Sequence, residues 1–121
     1  YHMVSTPELA KEWFLSDDFP PDALETFFPH LQNESFLIVF EMALLRLPRP
    51  KKINTPMLVL GAANDRIFPP HEIKGTARAY GEEAEIFANM AHNMMIEERW
   101  ESVADRILGW LEDVENIEKG A

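Results

Sequence analysis

Asp65 and His92 are the two side chains of this chain whose setting suits proton transfer. Asp65 stands in Leu58-Val59-Leu60-Gly61-Ala62-Ala63-Asn64-Asp65-Arg66-Ile67-Phe68-Pro69-Pro70. His92 stands in Ala84-Glu85-Ile86-Phe87-Ala88-Asn89-Met90-Ala91-His92-Asn93-Met94-Met95. Each stretch reads as a short buried strand that runs into a loop. A carboxylate that accepts from one imidazole nitrogen fixes the tautomer and stabilises the imidazolium. The other nitrogen is then free to take a proton from a hydroxyl. Singly, each residue says little: an Asp after a strand is commonly a turn residue, helped here by Asn64, and a lone loop histidine is usually solvated or packed. The pair is more informative, because the C-terminal ends of adjacent parallel strands share one rim, where their loops meet.

The elements needed to position such a pair are legible. Residues 56–61 form a short continuous apolar run, as in a parallel strand covered on both faces. Residues 70–80 read as a helix ended by Gly81, with Gly75 a weak point, and residues 84–88 as a second strand. Over residues 97–114 the apolar Trp100, Val103, Ala104, Ile107, Leu108, Leu111 and Val114 recur at three- and four-residue spacing, which predicts a single helix face. The charged tail from 115 to 121 is expected to fray. Ahead of these, three helical pieces are predicted. Thr6-Pro7-Glu8 starts the first, which stops near Ser16. Pro20-Pro21-Asp22 starts the second, over 23–28, closed by Pro29. Asn33-Glu34-Ser35 starts the third, over 36–47, against which a strand competes over 36–40. Residues 47–52, with Pro48 and Pro50, form a stiff polar connector. The division is therefore 1–3, a cloning remnant (His2-Met3), a helical segment 4–52, a βαβα portion 53–117 and a tail 118–121. Two parallel strands are too few for a stable sheet in water, so either another chain supplies the missing neighbours or this is the end of a larger fold; self-association, as a homodimer or other homo-oligomer, is expected.

Composition narrows the class. The chain has 121 residues, 46% of them hydrophobic, so it is globular and has room for one domain at most. A formal charge of -10 disfavours nucleic acid and anionic membranes as partners. The absence of cysteine excludes disulfides and thiolate metal sites. His2, His30, His71 and His92 show no metal-ligand spacing, and neither a metal nor a cofactor is expected. With no visible signal peptide or apolar run of membrane-spanning length, a cytoplasmic location is the default. Met90, Met94 and Met95 read as gap-fillers around the histidine loop. Trp13, Trp100 and Trp110 read as core or interface anchors. Glu82-Glu83 and Glu97-Glu98 read as solvated ends. Phe14, Phe19, Phe27 and Phe28 are candidates for exposed apolar surface that favours association.

This ordered set of motifs resembles the C-terminal part of the α/β-hydrolase fold family, in which the triad runs Ser, acid, His along the chain. The family's acid often stands as Gly-x-x-Asp-x-x-x-Pro. Gly61-Ala62-Ala63-Asn64-Asp65-Arg66-Ile67-Phe68-Pro69 has one extra residue before the Asp. The family's histidine commonly follows Gly and precedes a Trp-bearing helix. Ala91-His92 departs from this in one residue, and Trp100 and Trp110 follow. The resemblance covers residues 5–114, with the first helices similar to the family's cap or lid. It implies an α/β fold, in which Asp65 orients His92 and His92 serves as general base and acid. The intact protein would hydrolyse a small-molecule ester or related bond through an acyl-enzyme.

The family's nucleophile, Gly-x-Ser-x-Gly on a strand-to-helix elbow, has no counterpart here. None of Ser5, Ser16, Ser35 and Ser102 has that setting. The oxyanion hole, built from the residue after the nucleophile and an earlier loop, is missing too. The chain is therefore expected to be an inactive C-terminal fragment of a serine hydrolase. The competing expectation is a non-catalytic dimerisation or interaction module built on the helices and the apolar stretch 36–45. A third, a phosphoacceptor domain using Asp65, lacks the acidic pair and lysine that such chemistry needs.

Overall fold

The computed structural model describes residues 4–32 and 49–120. Two helices come first. Helix α1, Pro7–Phe14, is capped by Thr6, whose extended backbone leaves its hydroxyl to accept from the Leu9 N–H at 3.3 Å. It ends because Leu15 is extended. Helix α2, Pro21–Phe27, opens on Pro21 and tightens into a 3₁₀ turn, Phe28–His30. The helix expected over 36–47 and the apolar stretch 36–45 lie outside the described residues. A further 3₁₀ turn, Pro50–Lys52, leads toward the sheet.

Strand β1 covers Val59–Ala62 and strand β2 Ala84–Phe87. They pair in parallel, Val59 opposite Ala84 through Ala62 opposite Phe87. The first strand is shorter than the apolar run from Pro56, since pairing begins only where β2 offers partners. Helix α3, Pro70–Tyr80, joins them. It ends in a left-handed Gly81 at φ 81°, with the Glu82 N–H bonding back to the Ala77 carbonyl at 2.9 Å. This arrangement closes a helix by satisfying its last carbonyls. Helix and strands approach closely at Gly61, where a Cβ would fall 2.9 Å from Ile73 Cγ2 and 3.1 Å from Ile86 Cδ1.

After a 3₁₀ turn, Met94–Ile96, helix α4 runs Trp100–Gly120. Its last turns, where fraying is expected from the sequence, are helical and carry a Lys119–Glu115 ion pair at 3.0 Å, the i,i+4 spacing that supports an exposed helix. Along the predicted helix face Val103 is buried, while Trp100, Ile107, Leu108 and Leu111 are exposed. Among the described residues a core cluster centres on Ala62, Met90 and Val103, with Leu60, Phe87 and Met94 packed against it. Met95, expected as a gap-filler, faces outward, and Phe19, expected to be exposed, is buried. Among the described residues, no helix is long and apolar enough to cross a membrane. The chain is thus a mixed α/β protein with a short parallel sheet.

Candidate active site

Both candidate residues emerge from the same sheet rim. Asp65 lies three residues beyond the end of β1 and His92 five beyond the end of β2. Two backbone bonds hold the emerging loops side by side: the Ala63 N–H donates to the Phe87 carbonyl and the Asn64 N–H to the Met90 carbonyl, each at 2.9 Å. The β2 loop turns through Asn89, whose φ of 56° is a left-handed conformation that asparagine tolerates better than most side chains.

Within this frame Asp65 Oδ2 lies 3.0 Å from His92 Nδ1. The carboxylate side chain is only 7% exposed and the imidazole 26%. The other oxygen, Oδ1, accepts from the backbone N–H of Ile67 at 2.7 Å and of Phe68 at 2.9 Å. Asp65 is therefore a turn residue and a histidine partner at once, one oxygen for each duty. Its turn bonds fix the carboxylate plane and so set the direction from which Nδ1 is met. The ring sits between two aromatics, Phe14 edge-on at 5.7 Å and Phe68 tilted at 5.6 Å between centroids. Their apolar walls lower the local dielectric and strengthen the Asp65–His92 hydrogen bond. Among the described residues Nε2 has no hydrogen-bond partner, so it is the nitrogen left to exchange a proton.

A cleft of about 410 Å³ is lined by Asp65 together with Leu15, Ser16, Asn64, Arg66 and Pro69 among others. His92 does not line it, so it is not where a hydroxyl would approach Nε2. Arg66 at its edge is already engaged, donating to the Glu12 carbonyl at 2.9 Å beside the Glu12 carboxylate at 3.3 Å. Ser102, as expected, stays on the surface and donates to the Arg99 carbonyl. His71 is exposed at the start of α3. Among the described residues, no group of three or more metal-ligating side chains is placed to hold a metal ion.

The residue missed from the sequence is Glu97. Expected to be solvated beside Glu98, it is 2% exposed. Its Oε1 accepts from the Ser16 N–H at 2.8 Å and the Ala91 N–H at 3.2 Å, and its Oε2 accepts from the Ser16 hydroxyl. The Ser16 hydroxyl has one proton to give, and the buried Glu97 carboxylate, not the exposed Asp18, takes it. The sequence signal was thin: an acid five residues after the histidine, at the mouth of a helix.

Comparison with known protein families, with curated proteins and with solved structures finds no match to this chain. The functional assignment therefore rests on the site's own geometry.

Proposed function

We propose that the chain carries the acid and the base of a Ser-Asp-His hydrolase site, in the manner of the C-terminal part of an α/β-hydrolase. The observation that carries this is the 3.0 Å contact between a buried carboxylate and Nδ1 of an imidazole whose other nitrogen has no partner among the described residues, at the rim of two adjacent parallel strands. Asp65 would hold the Nδ1–H tautomer. His92 Nε2 would take the proton of a serine hydroxyl as it attacks an ester carbonyl, then return it to the leaving alcohol. Water would repeat the sequence on the acyl-enzyme. The serine and the oxyanion donors lie outside these residues, so the 121-residue chain by itself is expected to give negligible hydrolysis.

The test is to read the gene's frame ahead of Met3 for Gly-x-Ser-x-Gly and to assay the whole translated frame on a p-nitrophenyl ester. Hydrolysis that disappears in the His92→Ala variant supports the proposal. A frame without the motif, inert toward esters, overturns it.

A second reading, a non-catalytic interaction module, is favoured by one observation: the exposed apolar residues Trp100, Ile107, Leu108 and Leu111 on α4. In that case the Asp65–His92 contact would be structural, and His92→Ala would leave partner binding unchanged.

A further inference from the structure

Glu97 joins three segments that are distant in sequence. Its carboxylate accepts from both the N–H and the hydroxyl of Ser16, just beyond α1, and from the N–H of Ala91, the residue before His92. The residue after His92 is also held: the Asn93 N–H donates to the Phe14 carbonyl at 2.9 Å. Phe14 then contributes its ring to the edge of the imidazole. Both backbone neighbours of His92 are thus fixed, one by Glu97 and one by the last turn of α1, and Ser16 ties those two anchors together. Removing the carboxylate would leave the Ala91 and Ser16 N–H groups buried without acceptors, a state that folded chains relieve by moving the backbone. The segment expected to move is the loop bearing His92, whose ring has one hydrogen bond, to Asp65, and otherwise only the two aromatic contacts.

We infer that Glu97 is a positioning residue for His92: its buried carboxylate clamps the loop through Ala91 and, through Ser16, locks α1 against the imidazole. This deepens the triad reading and rests on it, since it gives the clamp a purpose. Second-sphere groups that orient an imidazole matter because a misplacement of about 1 Å can cost on the order of a hundredfold in rate. Glutamine at position 97 can keep the arrangement, with Oε1 accepting from the two backbone N–H groups and the amide donating to the Ser16 oxygen. Alanine cannot.

The test uses the 15N-labelled full chain and two readouts. Amide exchange at Ala91 and Asn93 reports the clamp. The 15N shifts of the His92 ring report its tautomer. Glu97→Ala is expected to speed exchange at both amides at least about tenfold and to convert His92 from a single Nδ1–H tautomer to a mixture, with β1 and β2 amides unchanged; Glu97→Gln should resemble the wild type. Where Glu97→Ala fails to fold, Ser16→Ala, which removes the hydroxyl and keeps the backbone donors, should show smaller shifts in the same directions. Wild-type exchange and tautomer in both Glu97→Ala and Ser16→Ala overturn the inference, as does a Glu97→Gln variant that behaves like alanine. A wild-type ring that lacks Nδ1–H while Ala91 protection still depends on Glu97 would instead contradict the triad reading and leave the clamp standing.

Discussion

Asp65 divides its two oxygens between the backbone and His92, and the consequences of changing it divide the same way. Asp65→Ala strips acceptors from the Ile67 and Phe68 N–H groups as well as from the imidazole. A loss of about 1–3 kcal/mol of stability for an orphaned buried group is expected, measured as a lower urea midpoint at unchanged m-value. Asp65→Asn preserves the turn through its carbonyl oxygen but can present an amide N–H to Nδ1, which favours the wrong tautomer. In a protein completed with its nucleophile, kcat should fall on the order of 10⁴-fold with little loss of stability. Both catalytic candidates were legible in the sequence because each follows a short segment that reads as a strand and leads into a loop. Glu97 was not: two adjacent acids at a helix start look solvated, and only the chain's return past Ser16 and Ala91 gives one of them donors.

At the scale of elements, the contact between β1 and α3 is set by Gly61. Gly61→Ala drives a Cβ into the γ-branch of Ile73, which is held by its helix, so a destabilisation of about 1–3 kcal/mol is expected from chemical denaturation. Helix α4 is tied to β2 by Arg106, which donates to both carboxylate oxygens of Glu85 through Nε at 2.7 and 2.8 Å. The Arg106 side chain holds the Glu85 carboxyl below the usual carboxylate range. A depressed folded-state pKa contributes stability that is present above the unfolded value and lost as pH falls through the folded one. The difference in urea midpoint between wild type and Glu85→Gln should therefore shrink as the pH is lowered through that acidic window. Both partners are exposed, so the effect is small and salt-sensitive. The element types from residue 53 onward were legible from periodicity, whereas the extent of α4 was not. The charges after Val114 suggested fraying, but they sit at helical spacing and pair along the surface.

At the scale of the molecule, the sheet has two strands among the described residues, and the 21-residue helix α4 leaves Trp100, Ile107, Leu108 and Leu111 of its apolar stripe exposed. The sequence already offered only two strands against that long apolar stripe, which is why a covering partner is expected. The expected outcome is self-association through this surface, seen as a dimer or larger species by light scattering at micromolar concentration. Leu108→Glu, at an exposed site, should shift it toward monomer without unfolding the chain. A wild-type monomer at that concentration would contradict the oligomer proposal while leaving the Asp65–His92 site untouched.

The central claim is that Asp65 holds His92 as an oriented base, and the ring nitrogens of His92 report it most directly. In long-range 1H–15N spectra taken above the pH at which the ring titrates, wild-type His92 should show a protonated Nδ1 and a bare Nε2, and Asp65→Asn should lose that preference. A wild-type ring protonated on Nε2, or one that ignores the Asp65→Asn change, would contradict the account.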